Sequence, residues 1–79
     1  MGNPVELVDS TLSLLETDAP LVSYLKMLRR FKDEGGTVDA ARAALQEVRA
    51  RVVETEREDR VLEVLDLIEG FAGPGWKVW

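Results

Sequence analysis

Residues 38–69 read VDAARAALQEVRARVVETEREDRVLEVLDLIE, and whether this stretch forms one helix or two decides the fold. Val38, Ala41, Leu45, Val48 and Val52 recur at intervals of 3, 4, 3 and 4 residues, which is one face of a helix. Val61, Leu62, Val64, Leu65 and Ile68 make a second, broader apolar face. Between the two, residues 54–60 contain nothing apolar. One helix through 38–69 would be about 48 Å long at about 1.5 Å per residue, a length that suits a dimer better than a compact small domain. The alternative is a turn, in which Thr55 caps a new helix and Glu58, three residues on, closes a capping box. We adopt the turn, which predicts helices over 38–53 and 56–69.

The same grammar extends toward the N-terminus. Asn3 as N-cap, Pro4 at the first helical position and Glu6 placed to reach back to the cap open a helix over 4–16. Its expected apolar face is Val5, Val8, Leu12 and Leu15, widened by Leu7 and Leu14. Pro20 interrupts the pattern, because proline disfavours helical geometry in the residue before it and suits the first turn of a new helix. Thr17 or Asp18 is the expected cap of that second helix, over 19–34. It carries Leu21, Leu25, Leu28 and Phe31 on one side, with Tyr24 adjoining, and stops at Gly35 and Gly36. Thr37 caps the third, and Ala40, Ala41, Ala43 and Ala44 keep its first half slim enough for a neighbour to come close. Past Gly70 the sequence changes character: Gly73, Pro74 and Gly75 are turn chemistry, and Trp76, Lys77, Val78 and Trp79 have strand-like preferences. The expected fold is all-α, one domain over 1–79: a compact antiparallel bundle of about four short helices with a non-helical aromatic tail, 70–79, packed on it.

Composition narrows the chemistry. The 79 residues include neither cysteine nor histidine, which removes disulfides, thiolate metal sites and every Ser-His or Cys-His nucleophile. Ser10, Thr11, Ser13 and Ser23 have no base to activate them, so the expectation is a protein that is not an enzyme and holds no cofactor and no metal. A core this small can hardly spare the roughly 300 Å³ that ligand pockets begin at. No basic run precedes an apolar stretch at the N-terminus, and no segment approaches about 20 apolar residues in a row. A soluble, cytoplasmic protein with no membrane association is expected. Seven arginines against three lysines are compatible with a high-GC bacterial source.

Charge is segregated along the chain. Residues 1–20 carry −4, 21–36 carry +2, 37–55 are neutral and 56–79 carry −3, for a net −5. Such a balance repels phosphate and argues against nucleic acid, while favouring a basic protein partner. Lys26, Arg29, Arg30 and Lys32 form a basic back on the second helix, read most simply as pairing with neighbouring helices. On the fourth helix Glu56, Asp59, Glu63 and Asp66 follow at 3, 4 and 3 residues, one continuous acidic stripe opposite Val61, Leu65 and Ile68. Trp76 and Trp79 supply side chains favoured both as anchors at interfaces and as plugs for the open end of a small core.

The expected function is therefore a protein-interaction module. It would act as an acidic recognition or inhibitor domain that occupies the positive surface of a basic partner, in the manner of small bacterial immunity proteins. The candidate partner-binding residues are Glu56, Asp59, Glu63, Asp66, Trp76 and Trp79. The alternative is a self-associating structural or regulatory protein, a homodimer or higher assembly, with Leu7, Leu14, Met27 and Leu67 along the seam between subunits.

Overall fold

The computed structural model describes residues 3–70 and 78–79. Among them are four helices, α1 (Pro4–Glu16), α2 (Leu21–Asp33), α3 (Val38–Arg51) and α4 (Glu56–Glu69), and no strand. Residues 52–55 form a turn, so the long-helix reading of 38–69 does not hold. Glu54 sits there at φ 65°, a left-handed conformation that no continuing α-helix contains.

Each helix end has a local cause. Asn3 Oδ1 accepts from the Val5 N–H at 2.9 Å and Thr37 Oγ1 from the Ala40 N–H at 3.2 Å, so both of these N-caps act as expected. α2 ends in a Schellman motif: Gly36 N–H donates to Phe31 O and Gly35 N–H to Lys32 O, both at 2.9 Å, with Gly35 at φ 94°. α1 ends the same way, with Asp18 at φ 53° in place of glycine, its N–H donating to Leu15 O while Ala19 N–H donates to Leu14 O.

Two expected caps are corrected. The residue that caps α2 is Pro20, at φ −69° and ψ 160°, and it offers no side-chain bond. Asp18 is occupied in the left-handed position that closes α1, and the Thr17 hydroxyl donates backward, to Leu14 O at 3.1 Å and Ser13 O at 3.3 Å. Thr55 is the N-cap residue of α4, but its hydroxyl donates to Val52 O instead of accepting from the first turn. The capping box fails with it, because Glu58 turns to Arg49 (3.2 Å) and, at 3.5 Å, to the Glu54 N–H.

The core is built from Leu7, Val8 and Leu15 of α1, Tyr24, Leu25, Leu28 and Phe31 of α2, Ala41, Ala44, Leu45 and Val48 of α3, and Val61, Val64, Leu65, Leu67 and Ile68 of α4. The most extensive contact joins α1 to α3, and Ala41 and Ala44 of α3 are buried in the core, where small residues let helices approach closely. α4 packs on α3 and α2, and α2 packs on α1. Helices adjacent in sequence are thus not all adjacent in space: the main neighbours of α3 are α1 and α4, although α2 leads into it.

Two faces are rotated from their expected positions. In α1 the interior side is Leu7, Val8, Thr11 and Leu15, with Val5 68% exposed. Thr11 tolerates full burial because its hydroxyl donates to Leu7 O at 2.7 Å and lies 3.5 Å from Met27 Sδ of α2. In α4 it is Leu67 that is fully buried and Leu62 that is 38% exposed. No helix among the described residues is long and apolar enough to cross a membrane.

Candidate site: the acidic face of α4

Burying Val61, Val64, Leu65 and Ile68 fixes the rotation of α4, and the opposite side is left to its charges. Glu56, Asp59, Glu63 and Asp66 are all exposed along it. Among the described residues the only ion pair made by any of the four is that of Glu63, to Arg60 at 2.9 Å. The other carboxylates of α4 are engaged toward α3: Glu69 accepts from Arg42 Nε at 2.5 Å and Glu58 from Arg49 Nε at 3.2 Å. The Arg42 guanidinium holds the Glu69 carboxyl below its ordinary range, and Glu69 with Asp39 raises Arg42 in turn. α4 therefore uses one flank to bind α3 and keeps the stripe for solvent. No group of three acidic ligands suited to a metal ion occurs among the described residues.

The N-terminal half of the stripe forms one side of a recess of about 330 Å³. Glu56, Asp59 and Glu63 line it together with Glu16, the last residue of α1, and Asp18 just beyond, with Arg57 and Arg60 also contributing. Asp66 lies outside it. Tyr24, from the first turns of α2, completes the recess; it is fully buried, and its hydroxyl has no hydrogen-bond partner among the described residues. Burial pushes the phenol above its ordinary value, with Asp18 adding to the shift and Arg60 and Arg57 opposing it. Sequence reasoning assigns Tyr24 only to the apolar side of α2 and Asp18 only to a cap. That these two meet the acidic stripe depends on how α1, α2 and α4 converge, which no spacing within one helix encodes.

The aromatic candidates divide. Trp76 lies outside the described residues, as do Gly73, Pro74 and Gly75, so the packing expected of the tail is described only at its last two residues. Trp79 is half-buried, its ring edge-on to Phe31 with centroids 6.4 Å apart and planes at 71°. Val78 is buried and its carbonyl accepts from Lys32 Nζ at 2.8 Å.

Among the described residues the basic back of α2 makes no ion pair with a neighbouring helix, contrary to expectation. Lys26, Arg29, Arg30 and Lys32 are exposed; Arg30 pairs with Glu34 at its own helix end, 3.3 Å away, and Lys32 takes the Val78 carbonyl. The basic side of α2 borders a larger groove of about 690 Å³ against α1, where Leu14 and Met27 lie beside Ser10, Ser13, Lys26 and Arg30. Both hollows are open to the surface, so a pocket of ordinary ligand size exists here without taking volume from the core. The expected self-association seam breaks up on the structure: Leu7 and Leu67 are in the core, while Leu14 and Met27 are half-buried in this groove.

Comparison with known proteins finds no family model, no curated protein and no solved structure that matches the chain.

Proposed function

We propose that the chain is a non-catalytic protein-interaction module, an acidic recognition or inhibitor domain that docks a basic protein through the exposed face of α4. The observation that carries this reading is the stripe itself. Glu56, Asp59 and Asp66 stand exposed on one side of α4 with no ion pair among the described residues, whereas Glu58 and Glu69 on the flank of the same helix are taken up by α3. Carboxylates left over after a helix has met its structural needs attract a complementary positive surface, raising its association rate and fixing its orientation. Trp79, edge-on to Phe31 and partly exposed, follows Val78, whose carbonyl Lys32 holds, and offers a second, aromatic element for recognition.

The test pairs a charge variant with a measured interaction. Replacing Glu56, Asp59 and Asp66 together by their amides leaves the interior of α4 untouched but removes two charges from its first turn, so the thermal midpoint should fall by several degrees while the fold is kept. Association with a basic protein partner should slow and lose its salt dependence. Binding that persists unchanged at low ionic strength would refute the electrostatic reading. Size in solution separates it from self-association: the docking module is a monomer, and a dimer that survives high salt would favour an apolar seam instead.

A further inference from the structure

The contact between α1 and α2 is less extensive than either main contact of α3, and a groove of about 690 Å³ opens between the two helices. Leu7 and Phe31 are buried along it, while Leu14 and Met27 are half-buried in it. Ser10, Ser13 and Ser23 also line it, and their short side chains leave open a space that longer residues would fill. Charge divides by helix: Glu6 and Asp9 line the groove from α1, Lys26 and Arg30 from α2, and all four are exposed. Opposite charges thus border the same hollow, yet among the described residues no ion pair joins α1 to α2. Arg30 reaches only Glu34, just past the end of its own helix. The junction of α3 with α4, by contrast, is closed by the Arg42–Glu69 and Arg49–Glu58 pairs. The α1–α2 junction keeps apolar surface and both signs of charge uncommitted.

We propose that this groove receives an amphipathic helix of a partner protein. Its apolar row seats over Leu14 and Met27, with basic residues along the side toward Glu6 and Asp9 and acidic residues along the side toward Lys26 and Arg30. This is a second recognition surface, and it does not depend on the α4 stripe docking a basic protein. A helix laid in a groove buries an apolar row and leaves its flanks at the rim, where charge is read. The lining runs along α1 from Asn3 to Leu14, about 16 Å at about 1.5 Å per residue, which matches about three turns of a bound helix. The rim charges fix the direction in which that helix lies, because reversing it would set like charges against each other. A second copy of this chain does not supply the occupant. Among the described residues its exposed large apolar side chains, Val5, Val22, Val53 and Leu62, fall on α1, α2, the 52–55 turn and α4, so no one helix turns an apolar row outward. A small apolar molecule would make no use of the charges on both sides.

The test titrates the full chain, isotopically labelled, at low ionic strength with a helical peptide of three to four turns that carries leucines in one row, lysines along one side of the row and glutamates along the other. The controls are a peptide of the same composition with the row scrambled and one with glutamine on both sides of the row. Amide shifts should centre on Ser10, Ser13, Lys26 and Met27, the peptide should gain helicity on binding, and the scrambled peptide should not bind. Asp9→Asn combined with Lys26→Gln leaves the core untouched and should weaken binding about five-fold, the measure of two exposed ion pairs, with the difference lost at high salt. Ser10→Phe, at an exposed position, fills the groove and should abolish binding; should it disturb the fold, Ser13→Phe is the second blocking variant. The Glu56, Asp59 and Asp66 amide variant should bind the peptide as the parent does, so failure of the α4 reading leaves this result intact. Shifts centred on α4, or binding that the blocking and charge variants leave unchanged, would refute the groove. Equal binding by the glutamine-flanked peptide would refute the charge matching, and no binding of the charged peptide to the parent would refute the proposal outright. A chain that is a dimer without peptide, and whose dilution moves these same amides, would show a second copy to be the occupant and overturn it as well.

Discussion

Arg49 Nε and Glu58 Oε2 lie 3.2 Å apart across the turn that separates α3 from α4. Glu58 is the residue that would otherwise complete a capping box on Thr55, so this ion pair replaces a local bond with one between helices. Arg49 is 43% and Glu58 22% exposed, which limits the pair to about 1 kcal/mol. Glu58→Gln should lower the thermal midpoint by a few degrees at low salt, and the difference should shrink as salt is added. Destabilisation of several kcal/mol, independent of salt, would mean that the carboxylate is needed for the turn itself.

The turns at Asp18 and Glu54 hold side-chain-bearing residues at φ 53° and 65°, where glycine is the unstrained choice. Asp18→Gly and Glu54→Gly should each raise stability, by about 0.5–1 kcal/mol, with no change in the denaturant m-value. The cost of the added freedom in the unfolded chain reduces the gain, so loss of stability in both variants would contradict the left-handed geometry.

What the sequence makes legible follows from how far each determinant reaches. Asn3, Thr37 and the Gly35–Gly36 pair act on the next few peptide groups, and their residue types are nearly specific to those positions, so four helices and most of their bounds can be read directly. Thr17, Asp18 and Thr55 belong to types that serve at either end of a helix, and only the competition between neighbouring turns decides which use prevails. Thr11 is misplaced for another reason: hydropathy treats it as polar, while in the helix its hydroxyl is satisfied by Leu7 O and the remainder packs as an apolar group. The acidic stripe is legible because it lies within one helix. The recess at its head is not, because Tyr24 and Asp18 reach it from other segments.

Gly36 is fixed by contact and not by its backbone angles. A Cβ at this position would overlap the Phe31 ring, which is itself held in the core and against Trp79. Gly36→Ala should therefore cost about 1–3 kcal/mol through displacement of that ring. Because Trp79 leans on Phe31, tryptophan fluorescence should change in the folded state as well. Gly35→Ala meets no atom within 4 Å and should suffer only from its φ of 94°, leaving the fluorescence as in the parent.

Acid should act through Glu69. Its carboxyl is held below the ordinary glutamate value of 4.5 by Arg42, so the folded state binds the proton less readily than the unfolded one. The stabilisation is complete above 4.5 and is lost as pH falls through the lower folded value. Arg42→Gln should flatten the acid limb of a stability–pH profile while leaving the neutral and alkaline range nearly parallel to the parent. The pair is solvent-exposed, so the difference should fade at high salt, and an acid limb identical in both proteins would exclude this contribution.

Alkali should act through Tyr24, with the opposite sign. Burial raises its phenol above 10.0, so the folded state retains the proton that the unfolded chain releases. Its contribution is fully present below pH 10.0 and is lost as pH climbs through the raised folded value, where a phenolate would have to be accommodated in the core or the chain must open. Tyr24→Phe removes both the ionisation and the unpartnered hydroxyl. It should match or exceed the parent in stability at neutral pH, and its alkaline limb should start at higher pH. Ultraviolet titration of the parent supplies the matching observation, because Tyr24 is the chain's only tyrosine and its phenolate absorbance reports this one site. Ionisation at the ordinary value with the fold intact would show the hydroxyl to be solvated.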